Sequence, residues 1–402
     1  MRVLMIAQYV AFPFEGGNNR FCYLLDLLKK AKGNRIELLT SSFRHGTKAK
    51  HTPTKKDIEK LGCKVTFIDE PGYKKNISLR RIFSTKILAK NTKKYLNQLE
   101  ETPDVIYCAV PSLDIAKVAA KYAKKHDIRF IIDIQDLWPE AFQMVFNPPV
   151  FGNLLYLPFK IAANRVYKNA DEICAVSKTY ADRALMVNKK CKNAHIVFLG
   201  TDLDTFDKNA KQHYSHRLQK KPNEIWVAYC GTLGSSYDLE TAIKAIAKTK
   251  NNNLQLIVMG DGPLRERFTK LAKANNIKAT FTGRIPYERM CSLLADCDIT
   301  INPIMRNAAQ SVINKHADYV ASGLPIISTQ ENQEFRNLID EYEIGFNCNN
   351  GDIADMASKI SRLATDRQLR GKLGKNARRL AEIKFNRAKT YQELATTITR
   401  KV

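Results

Sequence analysis

Short, unbroken apolar runs alternate along the chain with longer stretches in which apolar residues recur every three or four positions. Arg2 to Gln8, Ile36 to Thr40, Val65 to Ile68, Val105 to Val110, Arg129 to Ile134, Ile173 to Ser177 and His195 to Leu199 read as strands, while Arg20 to Lys32 and Ile115 to His126 read as amphipathic helices. Strands that are apolar throughout and separated by helices predict a parallel sheet covered on both faces. From Leu199 to Asn223 the pattern becomes loop-like, and then the same grammar restarts. Strands are expected at Ile225 to Cys230, Leu254 to Met259, Ala279 to Thr282, Ile299 to Asn302 and Pro325 to Ser328. Helices are expected at Leu239 to Thr249, Leu264 to Ala274, Tyr287 to Ala295 and Ser311 to Ser322.

The expected fold class is therefore α/β, with two Rossmann-like, doubly wound domains in tandem, at residues 1–204 and 205–384. The stretch Leu373 to Ile398 is longer than one closing helix needs, so residues 385–402 are expected to form a C-terminal helix that crosses back to the first domain. Ligands of such sheets bind at the carboxyl ends of the strands, which puts the expected site in a cleft where the two domains face each other.

Length agrees with two domains, since 402 residues exceed what one hydrophobic core sustains. The nine cysteines are scattered and form no Cys-x-x-Cys pair, which reads as reduced thiols in a cytoplasmic protein. The seven histidines make no ligand-spaced cluster, so no protein-built metal site and no cofactor are expected. The N-terminal run reads as a strand rather than a secretion signal, because Gln8 interrupts it early. No stretch approaches the ~18 apolar residues of a membrane span.

Charge changes the picture more. Lys and Arg number 65 against 40 Asp and Glu, a formal net charge of +25. The excess is concentrated between Arg44 and Lys94, where Tyr73, Ile77, Leu79, Ile82 and Phe83 are interleaved with the basic residues. Such a surface attracts phosphate, of an anionic membrane leaflet or of nucleic acid. A solvated basic face with no partner is the plainer alternative.

Several strand-to-helix turns carry the candidate chemistry. Gly16-Gly17 follows the first strand, and glycines at such a turn let the backbone approach a ligand. The second domain opens with Gly231-Thr232-Leu233-Gly234-Ser235, whose glycines and hydroxyls suit a phosphate-bearing ligand. Gly260-Asp261-Gly262-Pro263 and Gly283-Arg284-Ile285-Pro286 close the next two strands. In the segment from Gln310 to Pro325, amides at Ser311 and Val312 and the Lys315 ammonium would hold a diphosphate, with Asp318 accepting hydrogen bonds from ribose hydroxyls. Lys315 and Asp318 as an exposed i,i+3 ion pair is the competing reading.

Taken in order, Gly16-Gly17-x-x-Arg20, Asp133-Ile134-Gln135-Asp136-Leu137-Trp138-Pro139-Glu140, Ala170-Asp171-Glu172-Ile173 with Ser177, Gly200-Thr201-Asp202, Gly260-Asp261-Gly262-Pro263 and Lys315 to Pro325 resemble the retaining glycosyltransferase family 4, of GT-B fold. The similarity spans nearly the whole chain and is strongest to the bacterial capsule, exopolysaccharide and O-antigen branch. The resemblance implies an acceptor-binding first domain and a second domain that binds a nucleotide sugar. It implies that Gly16 and Gly17 approach the donor diphosphate and sugar, that Arg284 and Ile285 frame the base, and that Asp318 binds ribose. Gln310 stands where the family's first glutamate contacts the donor sugar. Thr232 and Tyr237 stand where many relatives carry an Arg and a Lys on the diphosphate, so Lys315, Arg306 and Arg265 become the candidate cations. Gln135 replaces a common His, which leaves Asp136 and Glu140 as the ionisable residues of that turn. Asp136 would orient the acceptor or act as a base, or else serve only as a structural cap. Retaining transfer in this family is taken to be a front-face reaction in which the leaving diphosphate helps deprotonate the acceptor, so positioning and charge stabilisation dominate.

The expected function is thus transfer of a hexose or N-acetylhexosamine from a UDP-linked donor to a lipid-linked glycan in cell-surface polysaccharide synthesis, by a cytoplasmic enzyme peripheral to the inner face of the plasma membrane. A GT-B epimerase or an inactive supporting subunit keeps the fold and changes the role. A nucleic-acid-binding protein is suggested by charge alone, without an aromatic binding motif or recognition helix, and no nucleic-acid partner is expected.

Overall fold

The computed structural model describes residues 1–400 other than 18, 32, 77, 141–151, 213–217, 219, 307, 309 and 310. Gln310 and Ile77 therefore lie outside the described residues. The chain divides into two units, one of residues 1–197 and 391–402 and one of residues 198–390.

In the first unit, β1 (Arg2–Ile6), β2 (Arg35–Ser41), β5 (Lys64–Ile68), β6 (Val105–Val110), β7 (Arg129–Ile134), β8 (Glu172–Ala175) and β9 (His195–Ile196) form a parallel sheet in the order β5-β2-β1-β6-β7-β8-β9. A two-stranded antiparallel ribbon, β3 (Phe43–Arg44) with β4 (Ala49–Lys50), stands apart from it. In the second unit, β10 (Ile225–Cys230), β11 (Leu254–Met259), β12 (Lys278–Gly283), β13 (Ile299–Asn302), β14 (Ile326–Ser328) and β15 (Gly345–Asn347) are parallel in the order β12-β11-β10-β13-β14-β15. Both orders run outward to one edge from the first strand and then outward to the other. The direction of winding reverses between β1 and β6 and again between β10 and β13, and such reversals open a crevice at the strand ends.

Helices cover both faces because the strands are largely apolar on both. Trp226, Ala228 and Cys230 enter one core of the second unit, and Val227 and Tyr229 enter the other. In the first unit, the helix Arg20–Lys30 starts on Asn19, whose side chain accepts from the Cys22 amide, and buries Phe21, Leu24, Leu25 and Leu28 at helical spacing.

Three expected boundaries shift, each for a packing reason. Phe198 does not continue β9: it stacks on Phe385 at 5.0 Å and, with Leu203 and Phe206, belongs to a core of the second unit, so the units divide at 197/198 rather than 204/205. The C-terminal helical stretch is not continuous. The helices Arg367–Leu380 and Arg387–Thr399 flank a π-turn, Ala381–Phe385, and the chain passes to the first unit after Thr390 rather than after 384. That break pairs with Gly200-Thr201: a Cβ on Gly200 would lie 2.2 Å from the Phe385 carbonyl, and the Thr201 amide donates to that carbonyl. The helix expected from Ser311 begins only at Asn314, where the His316 ring accepts from the Ile313 amide.

Candidate functional site

In the second unit, the helix Asn314–Ala321 is fixed against the sheet at its winding reversal. The Tyr319 hydroxyl accepts from the Cys230 amide at the end of β10 and donates to the Ile301 carbonyl in β13. Lys315, one turn earlier on the same face, is thereby carried to the loop after β10. A Cβ on Gly231 would lie 3.4 Å from the Lys315 Nζ. The ammonium sits 4.4 Å from the ring centre of Tyr229 and 3.9 Å from that of Tyr237. Lys315 is 8% exposed, and its Nζ has neither a hydrogen-bond partner nor a carboxylate within ion-pair distance among the described residues. Burial lowers its pKa to about 7.

The glycines around this ammonium are there because backbone packs on backbone. A Cβ on Gly260 would meet the Gly231 carbonyl at 1.8 Å, and one on Gly262 would meet the Leu233 carbonyl at 2.4 Å. The Leu233 amide donates to the Asp261 carbonyl. Loops 231–234 and 260–262 thus brace each other, leaving Thr232 and Ser235 exposed.

Asp318 does not pair with Lys315. Its Oδ1 accepts from the Tyr287 hydroxyl at 2.8 Å, and that hydroxyl lies 2.7 Å from Thr201 Oγ1. The residue keeps part of its surface, yet its carboxylate is screened, and burial raises its pKa to about 6.

In the first unit, Arg20 and Asp133, 113 positions apart, form a fully buried bidentate pair with contacts of 2.8 and 3.0 Å. Arg20 also donates to the Val197 carbonyl. Gly16 has a φ of +73° and open space where a Cβ would be, whereas a Cβ on Gly17 would lie 2.2 Å from the Ala11 carbonyl. Asp136 follows β7 and accepts from the Leu137 amide, and burial raises its pKa. Glu140 accepts from the Arg183 guanidinium at 2.6 Å.

Comparison with known proteins bears on the second unit first. The family described as "Glycosyl transferases group 1" matches residues 210–380. Two curated transferases extend the match. The candidate glycosyltransferase EpsD of Bacillus subtilis (strain 168) is 24% identical over 376 residues, 87% of this chain and 92% of that protein. The candidate colanic acid biosynthesis glycosyl transferase WcaI of Escherichia coli (strain K12) is 22% identical over 238 residues, 57% of this chain and 58% of that protein. Among solved structures, HepE of Anabaena, crystallised in complex with UDP, superposes with a TM-score of 0.70 at 16% identity, covering 99% of this chain and 100% of that one. The enzyme is therefore a transferase of GT-B fold, with two parallel-sheet α/β domains.

Within the transferase, the structure gathers Gly231, Thr232, Gly234, Ser235 and Lys315 around one loop and sets other candidates aside. Ser311 is buried, its hydroxyl donating to Glu334 and its carbonyl accepting from Gln330, so that side chain is engaged by the protein. Val312 belongs to a core cluster. Arg306 is exposed and paired with Glu331 at 3.6 Å. Arg265 lies close to Gly283, whose added Cβ would sit 3.4 Å from its guanidinium, and it donates to the Phe281 carbonyl, so it borders the Arg284-Ile285 turn. Tyr229 and Tyr287 were not among the expected site residues, and Tyr237 entered only as the place of a missing lysine. Tyr229 lies near the end of β10, Tyr237 in the loop that follows and Tyr287 at the start of a helix, and no spacing in the sequence tied Tyr229 or Tyr287 to Lys315 or Asp318.

Proposed function

We propose that the transferase moves a hexose or N-acetylhexosamine, with retention, from a UDP-linked donor to a lipid-linked glycan acceptor in cell-surface polysaccharide synthesis, at an anionic membrane surface. The single observation that carries the donor reading is the buried Lys315 ammonium, which stands beside the Gly231 loop with no anion of its own among the described residues. A buried cation without a counter-charge is costly, and a diphosphate entering beside Gly231 would supply it. The UDP held by HepE supports the nucleotide, and the colanic acid role in the name of WcaI supports the pathway class.

On this reading the second unit binds the donor and the first binds the acceptor. Lys315 neutralises the diphosphate as it departs, Asp318 accepts from ribose hydroxyls, and the backbone of Gly231 to Ser235 lines the phosphates. The departing diphosphate collects the acceptor proton, so no carboxylate nucleophile is needed. Asp136 orients the acceptor, while Glu140, tied to Arg183, holds the turn that carries it. The helices among the described residues include none long and apolar enough to cross a membrane, which leaves association to surface charge and apolar side chains.

A thermal-shift screen against UDP, GDP and their sugars tests this, because a ligand bound only by the folded state raises stability by mass action. UDP and at least one UDP-sugar are expected to raise the transition of the second unit. No shift with any nucleotide, together with a Lys315→Ala variant that behaves like the parent, would favour an inactive supporting subunit.

A further inference from the structure

A cavity of about 470 Å³ lies in the first unit at the carboxyl ends of β1, β6 and β7. Its floor is polar: Gln8 follows β1, Ser112 follows β6, and the Ser112 hydroxyl donates to Gln8 Oε1 at 2.6 Å. Its walls are mostly apolar, built by Leu79, Ile82, Ile115, Trp138 and Phe159, with the Arg81 guanidinium over the Trp138 ring and Asn76, Ser78 and Thr85 as polar lining. The apolar wall reaches the surface of the helices Leu79–Asn97 and Gly152–Asn169, where the lining residues Leu79, Ile82 and Phe159 are 85%, 41% and 41% exposed. Single exposed apolar side chains are ordinary, but a run of them around an apolar mouth marks a binding surface.

A second hollow, of about 520 Å³, lies between the helices Leu79–Asn97 and Leu113–Lys125. Lys86, Lys93, Lys117, Lys121 and Lys125 line it, and it shares Asp114 with the apolar cavity. Ile82, Lys86, Ala89 and Lys93 fall on one face of their helix at helical spacing, so the two hollows are successive stretches of one furrow. The furrow is therefore apolar at the end near the strand termini and cationic along its continuation. That charge and polarity pattern matches an amphiphile with one hydrocarbon chain and a phosphate.

We propose that this furrow holds a single-chain lipid phosphate, with the chain in the cavity and the phosphate among the five lysines, and that it is the seat of the acceptor's lipid anchor. The assignment rests on the reading of a lipid-linked acceptor and specifies where that lipid goes. Trp138 lines the cavity, whereas the chain's other tryptophan, Trp226, is buried in the second unit, so chain-dependent changes in emission report the cavity.

Dodecyl phosphate and farnesyl phosphate, kept below micelle-forming concentration, are titrated into the full chain, with inorganic phosphate and phosphatidylglycerol vesicles as separate arms. Saturable quenching or a blue shift is expected with both chains and not with inorganic phosphate. Shortening dodecyl to decyl should weaken binding by about tenfold. Ala162→Phe, which places a ring in the cavity, should abolish the chain-length dependence, and Lys86→Glu with Lys93→Glu should weaken binding at least tenfold. The chain-length series on the unaltered protein stands even where a variant misfolds. Affinity independent of chain length, or binding to vesicles alone, overturns the proposal. The UDP thermal shift is read on the same samples. A retained UDP shift without lipid phosphate binding rejects the furrow and leaves the donor reading in place, and the reverse result rejects the donor reading alone.

Discussion

Replacing Lys315 with methionine should make the second unit more stable and its nucleotide binding weaker. Methionine matches the length of the lysine stem and packs well against the Tyr229 and Tyr237 rings, so the change removes the charge with little change of shape. The folded protein holds the amine near a pKa of 7 against 10.5 for the free side chain. The unfolded chain therefore binds the proton more tightly, and stability rises with pH between about 7 and 10.5. The burden on folding is full below pH 7, absent above pH 10.5, and about 4 kcal/mol at pH 7. Lys315→Met should thus melt roughly 10 °C higher at pH 7, with the gap closing as pH approaches 10. In binding the sign reverses. A diphosphate against the amine restores the proton, so at pH 8 the parent should take up nearly one proton when UDP binds. Calorimetric titrations in phosphate and in Tris, whose ionisation enthalpies differ, should give different apparent enthalpies for the parent and equal ones for the variant. Loss of the charged contact should weaken UDP by about 2 kcal/mol, or roughly thirtyfold. A variant that binds UDP as tightly as the parent, or a parent whose binding enthalpy ignores the buffer, would refute the assignment of Lys315 to the diphosphate.

Other perturbations test the frame that holds the site. Arg20→Met leaves Asp133 buried without its partner and should lower the transition of the first unit by about 3–5 kcal/mol in scanning calorimetry, with Asp133→Asn in the same chain recovering part of the loss. Gly260→Ala, at a φ of +154° and 1.8 Å from the Gly231 carbonyl, should cost about 1–3 kcal/mol and displace the loop beside Lys315, so UDP affinity should fall although no side chain of the site changes. Asp136→Asn should lower kcat by about tenfold or more in a transfer assay, whereas Glu140→Gln, which frees Arg183, should act mainly on thermal stability and leave kcat within a few-fold of the parent.

How far the fold could be read ahead of the structure followed from local pattern. Strands β6, β7, β10, β11 and β13 fall on their apolar runs because each is buried on both faces, and nothing but burial was needed to see them. β15 was missed because Gly345–Asn347 is three residues long with one apolar member, and the β3–β4 ribbon because its strands have two residues each. The unit boundary slipped for a different reason. Phe198 extends the run that starts at His195, and its apolarity says that it is buried without saying in which core.

The site was legible in residue type and opaque in pairing. Lys315 and Asp318 at i,i+3 allow an ion pair. Only the tertiary packing of Tyr287 on Asp318, and of Tyr229 and Tyr237 around Lys315, separates the two charges. The same packing gives a physical meaning to the residue that departs from the family resemblance. The Tyr237 ring centre is 3.9 Å from the Lys315 ammonium. A lysine at 237, as in many relatives, would bring a second ammonium to a buried first one, and two like charges that close in a poorly solvated site repel strongly. A ring stabilises the buried cation instead. Tyr237 and Lys315 are therefore coupled: on the proposed reading the tyrosine removes one cation from the diphosphate site and supports the one that replaces it. On that coupling, Tyr237→Lys in the parent should weaken UDP binding, and the same change in a Lys315→Met background should restore part of it.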